Sequence, residues 1–174
     1  MVTAPAKVAH FVLCTSDIDA LAEWYCSVLD AQVVHRNKKI AFASFDDEHH
    51  RIAFVDRGFD KNPDSERNGV DHVAFTYATL GDLLSNYVRL RDEGILPERT
   101  INHGMTTSMY YRDPDGNRIE LQVENFTDPQ DGIDFMNGPI FDANPIGVLF
   151  DADELVQRFE AGASFEELVR QGDS

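Results

Sequence analysis

The feature that most constrains the fold of this chain is an internal repeat. Residues 7–56 and 69–123 show the same succession of patterns: a strand, an amphipathic helix and then two or three short strands. In this alignment, Arg51-Ile52-Ala53 of the first copy stands where Arg118-Ile119-Glu120 stands in the second. Strands and helices that are mixed in this way favour an α+β fold. The sequence therefore predicts two copies of one strand–helix–strands unit.

The first strand and the helix of each copy carry the clearest local signals. Lys7–Cys14 and Val70–Tyr77 alternate side chains with the two-residue period of a strand. Capping-box spacing follows at Ser16–Asp19 and again at Thr79–Asp82, where side-chain oxygens can satisfy the free amides of a helix start. Each helix has an apolar stripe, and we expect the second helix to end near Gly94.

Further strands, a turn and a linker complete the repeat. The turn is expected at Asp113–Gly116, whose residues suit a tight hairpin, and the polar segment Asp56–Gly69 is expected to link the copies. The remaining predicted strands are Gln32–His35, Ile40–Phe45, Arg51–Val55, Ser108–Arg112 and Asn117–Val123.

Charge and composition exclude several classes of partner. Fifteen basic against 31 acidic residues give a net charge of −16, which would be repelled by nucleic acid and by anionic membrane surfaces. Two cysteines, Cys14 and Cys26, are too few for a disulfide framework and fit a reducing compartment. We find no signal-peptide pattern and no apolar run of membrane-spanning length. We therefore expect a cytoplasmic globular protein.

Residues 124–174 differ in composition from residues 1–123. They hold twelve acidic residues against two basic ones, and short helices are predicted to begin at Asp151 and Ser164. Phenylalanines recur through the segment at Phe126, Phe135, Phe141 and Phe150. We interpret it as a C-terminal extension that packs on the core formed by residues 1–123, in preference to an acidic interaction arm.

Two histidines occupy matching positions on the first strands of the copies. His10 and His72 each lie within a hydrophobic strand, on what parity suggests is its buried face. A single histidine in such a place is more often a hydrogen-bonded core residue than a ligand. Two in register favour a shared site, because pairing the copies would bring both to one seam.

Glu120 adds a carboxylate within the apolar strand Ile119–Val123. Alternation alone is equally compatible with an outward-facing charge. Together with His10 and His72 it makes a 2-His-1-carboxylate set, which suits non-haem Fe(II) and leaves coordination positions open. Mn(II) accepts the same ligand types. Because Ala53 stands at the corresponding place in the first copy, that strand offers no fourth ligand.

On these residues the chain resembles the vicinal oxygen chelate superfamily, and within it the type I extradiol ring-cleavage dioxygenases. The resemblance covers about residues 7–123 and rests on His10, His72 and the pattern Asp-Pro-x-Gly-Asn-x-x-Glu, which ends at Glu120. Glyoxalases and bleomycin-binding proteins share this fold. The resemblance implies two βαβββ modules paired around one metal site.

The extradiol members of the family also imply three catalytic residues. His50, which leads a strand, would be the acid–base residue, because an imidazole titrates near operating pH. His103 and Tyr110 match the His and Tyr that precede the ligand Glu; they would be a general acid and a hydrogen-bond donor to the bound phenolate. The interval between these two residues is shorter than in larger relatives.

Neighbouring residues offer competing choices at two of these places. His49 directly precedes His50 in an acidic stretch, and we interpret it as part of a solvated turn. Tyr111 could be taken in place of Tyr110, but strand parity puts Tyr110 on the same face as Glu120.

The function implied is an extradiol-type dioxygenase that uses O2 and a metal to open a catechol-like aromatic diol. Two alternatives stay open. One is a metal-dependent lyase, isomerase or thiol transferase of the same superfamily, and the other is a non-catalytic module that binds a small aromatic compound. The expected partners are a small aromatic diol and O2, and exposed sheet edges favour a homodimer.

Overall fold

The computed structural model describes residues 7–58 and 70–171. Contacts divide the chain into two units: residues 7–58 with 113–117 form the first, and residues 70–112 with 118–171 form the second. Most of the predicted linker lies outside the described residues.

The first unit contains one helix and one four-stranded sheet. Strand order in the sheet is β1-β4-β3-β2, with β1 parallel to β4 and the other pairs antiparallel. Its elements are β1 (Phe11–Cys14), α1 (Ile18–Leu29), β2 (Gln32–Arg36), β3 (Ile40–Ser44) and β4 (Ile52–Val55).

The second unit contains a five-stranded sheet in the order β5-β8-β7-β6-β9. Its first elements are β5 (His72–Thr76), α2 (Leu80–Asp92), β6 (Arg99–Asn102), β7 (Thr106–Arg112) and β8 (Arg118–Glu124). The rest are α3 (Pro129–Met136), α4 (Pro139–Ala143), β9 (Val148–Leu149), α5 (Ala152–Glu160) and α6 (Phe165–Leu168).

Strand order and register confirm the predicted repeat. The order β5-β8-β7-β6 reproduces β1-β4-β3-β2 element by element, and the first pair is parallel in both sheets. Val12 faces Ala53 in the first unit, as Ala74 faces Glu120 in the second. The α+β class and the βαβββ modules are therefore confirmed.

Each unit places its helix against one face of its sheet. Leu21 and Tyr25 of α1 are buried, and the Tyr25 ring centre lies 5.5 Å from that of Phe54 on β4. In the second unit the buried positions of α2 include Leu83 and Leu84. Burial of these apolar side chains away from water is the main favourable contribution to folding.

The helix ends agree closely with the sequence signals. Thr79 caps α2 by accepting a hydrogen bond from the Asp82 amide, and Gly94 has a φ of +81°, which a glycine adopts without strain. At α1 the cap is Asp17, which accepts from the Ala20 amide, so the prediction of Ser16 as the cap is wrong. The cap therefore lies one residue nearer the helix than the spacing predicts, and the amide that it satisfies is that of Ala20 instead of Asp19.

The motif Asp113-Pro114-Asp115-Gly116-Asn117 forms a turn centred on one buried carboxylate. Asp113 accepts hydrogen bonds from the amides of Asp115 (3.0 Å) and Asn117 (2.8 Å) and from the Tyr25 hydroxyl (3.2 Å). Burial raises the pKa of the Asp113 carboxyl above its usual range. The motif therefore has a structural role in this chain.

Several elements lie outside the sequence prediction. The strands β6 and β9 and the helices α3 and α4 were not expected, whereas α5 and α6 begin after Asp151 and Ser164 as predicted. In the part of the chain that the structure describes, no helix has the length and apolar character needed to cross a membrane.

Candidate active site

The predicted metal ligands His10, His72 and Glu120 lie on the sheet faces that α1 and α2 leave uncovered. On β1 the residues that share a face with His10 are exposed, and on β5 Ala74 and Thr76 are exposed beside a half-buried His72. The expectation that both histidines lie on the buried face of their strands is therefore wrong. The helices pack on the other face of each sheet, which is formed by the alternate strand positions. The strands β1 and β5 are edge strands of their sheets.

Glu120 is the buried acidic group of the second unit's open face. It lies on β8, between Ala74 of β5 and Tyr110 of β7, and only 5% of its surface is exposed. A carboxylate in such a position must be compensated by hydrogen bonds or by a cation. The interpretation of Glu120 as an outward-facing, solvated charge is excluded.

His72 lies directly against the Glu120 carboxylate. Its Nε2 lies 3.0 Å from Oε2 of Glu120, while its Nδ1 donates to the Asp71 carboxylate at 2.7 Å. The hydrogen bond from His72, together with Arg118, holds the pKa of Asp71 below its usual range. A carboxylate that fixes the far nitrogen of an imidazole is a common partner of metal-binding histidines.

Tyr110 and His103 extend the cluster. Burial and the hydrogen bond to Glu120 raise the pKa of Tyr110, so its phenol stays protonated and donates to that carboxylate. The phenol oxygen can then accept from Nε2 of His103, 2.9 Å away. The guanidinium of Arg99 lies 5.0 Å from the centre of the Tyr110 ring. His103 and Tyr110 meet despite the short interval between them in the sequence.

The first unit holds a separate group of imidazoles. The ring centres of His10 and His50 lie 4.4 Å apart, and His50 also packs on Phe42 at 4.6 Å. His49 is exposed, as expected for a residue of a solvated turn. It nevertheless contacts the predicted base, because its Nδ1 lies 2.6 Å from Nδ1 of His50. Partial desolvation and the nearby His10 and His49 lower the pKa of His50, which favours a neutral imidazole able to accept a proton.

The described residues contain no group of three His, Cys, Asp or Glu side chains arranged to hold a metal. His72 and Glu120 belong to one unit and His10 to the other. The pair in the second unit nevertheless fits an octahedral cation: ligand atoms bound at about 2.1 Å in adjacent positions, about 90° apart, would lie about 3.0 Å from each other. The observed separation of Nε2 and Oε2 is 3.0 Å. The triad as a whole stays a prediction.

Sequence reasoning missed two groups around the site. Asp71 directly precedes His72, and that adjacency is a signal which could have identified it. Asn102 and Asn125 form a buried hydrogen-bond network next to His103. No spacing in the sequence marks that network.

Two βαβββ units with histidines at matching strand positions and a carboxylate on the second unit's inner strand define a recognisable class. The chain belongs to the Glyoxalase/Bleomycin resistance protein/Dioxygenase superfamily, whose sequence profile matches residues 7–121.

Within this superfamily the chain is similar to two dioxygenases of Rhodococcus globerulus. It is 45% identical to biphenyl-2,3-diol 1,2-dioxygenase 2 over 170 residues, which are 96% of this chain and 88% of the relative. It is 42% identical to biphenyl-2,3-diol 1,2-dioxygenase 3 over 169 residues, which are 96% of this chain and 89% of that relative. The similarity therefore includes most of the C-terminal extension as well as the repeat.

Solved structures share the fold at lower identity. Lactoylglutathione lyase from Agrobacterium tumefaciens superposes with a TM-score of 0.57 at 19% identity, over 70% of this chain and 96% of that one. A glyoxalase/dioxygenase from Nostoc punctiforme superposes with a TM-score of 0.56 at 20% identity, over 71% and 97% of the two chains.

Proposed function

We propose that this protein is an extradiol ring-cleaving dioxygenase that uses O2 to open a catechol-like aromatic diol. Biphenyl-2,3-diol is the first substrate to test, because the two Rhodococcus relatives are named for it. The reaction adds both atoms of O2 to the diol and gives a ring-opened hydroxymuconic-semialdehyde type of product.

One observation carries this choice within the superfamily. Glu120, Tyr110 and His103 form a continuous hydrogen-bonded series on one sheet face. A superfamily lyase, isomerase or thiol transferase needs metal ligands but has no use for a phenol and an imidazole placed to donate protons to a bound diol. In a module that only binds a small aromatic compound, the buried carboxylate of Glu120 would lower stability without contributing to a reaction.

His10, His72 and Glu120 would hold the metal, which we propose to be Fe(II), with Mn(II) as the alternative. Two nitrogen ligands and one carboxylate suit either ion. Bound there, the metal would supply orientation of both reactants and a path for charge between them. The contact between His72 and Asp71 supports the assignment, because it turns Nε2 towards Glu120.

His50 is the proposed general base. A diol must lose protons before it can chelate a cation, and a neutral imidazole at the pocket wall can accept one. The lowered pKa of His50 keeps it in the neutral, accepting form at neutral pH.

Tyr110 and His103 are the proposed hydrogen-bond donor and general acid. Tyr110 stays protonated, and its single proton, which is donated to Glu120 in the structure, would turn to the bound phenolate oxygen once Glu120 holds the metal. His103 would donate a proton to a substrate oxygen as the ring opens, and its contact with Tyr110 orients it.

The direct test is oxygen uptake by protein loaded anaerobically with Fe(II). We expect biphenyl-2,3-diol or catechol to cause one O2 to be consumed for each diol, with a yellow ring-opened product. The matched control is Glu120→Gln, which changes a proposed ligand by a single atom and should abolish both signals.

Two outcomes would reject the proposal. Activity with a hemithioacetal or a thiol substrate, but no oxygen uptake with any diol, would assign the protein to another reaction of the superfamily. Stoichiometric binding of a diol without turnover by the metal-loaded protein would make it a binding module.

A further inference from the structure

Within the second unit, the C-terminal extension (residues 124–174) contacts the repeat at a place that bears on the proposed catalysis. That place is the His103 loop (residues 102–105), which connects β6 to β7. The strand β9 of the extension pairs with β6 directly beside it, with Val148 facing Asn102. The side chain proposed as the general acid is therefore carried by a loop in contact with the extension.

Asn102 joins the loop to the end of the extension. Its Nδ2 donates to the carbonyl of Val169 at 2.7 Å, and its own carbonyl accepts from Nε2 of Gln171 at 2.9 Å. Its Oδ1 accepts from the Gly104 amide at 2.8 Å, which closes the loop around His103. Asn102 is 94% buried, so water cannot replace these partners freely.

Asn125 completes the network from the start of the extension. Its Nδ2 donates to Oδ1 of Asn102 (3.2 Å) and to the carbonyl of Gly104 (3.0 Å). Its Oδ1 accepts from the Thr107 hydroxyl at 2.8 Å. Both ends of the extension thus converge on the two residues that flank His103, and every polar atom of the two amides has a partner.

Close packing limits the loop further. A Cβ on Gly104 would lie 2.2 Å from Cζ of Phe135, and Gly104 has a φ of +86°. A Cβ on Gly147 would lie 2.7 Å from the Cα of His103. These approaches leave the loop little room to move.

We propose that the C-terminal extension holds His103 in position, with Asn102 as the positioning residue through which it acts. This inference rests on the proposed function, because it concerns the residue assigned there as the general acid. The ends of the extension fix the orientation of the His103 ring, and so the hydrogen bond from Nε2 to Tyr110.

The test is Asn102→Asp, compared with Asn137→Asp as the matched control. Asn102→Asp keeps an acceptor for the Gly104 amide but loses the donor to Val169 and puts a carboxylate against that carbonyl. Asn137→Asp makes the same chemical change in the extension, where Nδ2 of Asn137 donates to the carbonyl of Ile133 at 2.8 Å. Both are read by steady-state kinetics with biphenyl-2,3-diol, by iron content and by the ring ¹⁵N signals of His103.

We expect Asn102→Asp to lower kcat at least about tenfold, since small misplacements of a catalytic group are costly. KM and iron content should stay within about twofold of wild type, because the variant removes no contact to the substrate or to the proposed metal ligands. The His103 ring signals, assigned with a His103→Asn variant, should shift or broaden. Asn137→Asp should match wild type in all of these measurements.

A second variant keeps the proposal falsifiable if Asn102→Asp does not fold. Gln171→Ala removes only the donor to the Asn102 carbonyl, and Gln130→Ala, which removes a donor to Asp134, is its control. Wild-type His103 signals in whichever of the two variants fold would overturn the proposal, whatever their activity. Absence of oxygen uptake by the wild-type protein would reject the proposed function instead, and the ring signals of His103 would still decide whether the extension positions it.

Discussion

The two copies of the repeat share a scaffold but differ at equivalent positions across their sheets. In the first unit Ala53 faces Val12 on one side and Phe42 on the other, so the row is apolar. In the second unit the same places hold Ala74, Glu120 and Tyr110.

The loop histidines of the two copies also differ in whether their neighbour is apolar or polar. His50 packs on Phe42 in the first unit, whereas His103 hydrogen-bonds to Tyr110 in the second. The duplicated strands thus supply rigid positions, and a few substitutions decide which copy carries a charge and a proton donor. In the first copy His50 packs beside an apolar row, and the carboxylate and the phenol at these places occur in the second copy.

The largest expected effect comes from removing the carboxylate of Glu120, which the first copy lacks because Ala53 stands at the equivalent place. Glu120→Gln should lower iron affinity by more than about 100-fold. Changing a residue that only hydrogen-bonds to a metal ligand costs up to about 100-fold, and changing a ligand itself should cost more. Oxygen uptake should be lost in parallel. Iron content and activity measured on the same preparation check this, and retained iron with lost activity would show that Glu120 is not a ligand.

His50→Phe tests the base proposed for the first copy. Turnover should fall by about 10²–10⁴, the range for loss of general acid–base catalysis, while iron content stays at the wild-type level. A ring at the same place keeps the packing on Phe42. Loss of iron equal to that of Glu120→Gln would instead make His50 a ligand or a structural residue.

Tyr110→Phe converts the second copy's aromatic residue to that of the first, where Phe42 stands. We expect kcat to fall by up to about 10²–10³, the cost of removing one preorganised donor, with iron still bound. The variant also removes the partner of His103 Nε2. Wild-type kcat in single-turnover and steady-state kinetics would assign the phenol a purely structural role.

The smallest effect concerns a contact between α2 and α5. Asp153 accepts from Arg91 (2.6 Å) and from the Tyr87 hydroxyl (3.0 Å), and these bonds lower its pKa. Because the folded-state pKa is lowered, the stabilisation is complete above the ordinary carboxyl pKa of about 3.9 and disappears as pH falls through the lowered value.

Asp153→Asn should therefore lower the free energy of unfolding at pH 7 by at most about 1 kcal/mol, as for other exposed ion pairs. The difference from wild type should shrink at pH 3. Denaturant unfolding at both pH values checks this, and a difference that does not depend on pH would exclude the ionised contact as its cause.

The repeat was predictable because its signals are long and local. The helices α1 and α2 have apolar stripes and capping residues, and the strands that hold His72 and Glu120 alternate clearly. Parity also predicted that Tyr110 faces Glu120, which the strand register confirms.

The missed elements have short or weak patterns. The strand β6 has four residues and begins with an arginine, and β9 has two. The helix α3 has a cap at Asp128 and a proline in its first turn, which are usable signals, but Gly132 interrupts its apolar pattern.

Long-range contacts lay beyond any sequence pattern. Asn102 bonds to Val169, 67 residues away, and to Asn125, 23 residues away. The exposed face of His10 could not be read from alternation, because alternation separates two faces without saying which one the helix covers. Which face is covered depends on the tertiary packing of α1.

The central claim is that His10, His72 and Glu120 together bind one catalytic Fe(II). The most direct measurement is anaerobic titration of the metal-free protein with Fe(II), for the wild type and for His10→Ala and His72→Ala, followed by calorimetry or by metal analysis after desalting. We predict about one tightly bound iron per chain in the wild type and loss of tight binding in both variants. Tight binding of one iron by His10→Ala, with affinity unchanged, would contradict the account.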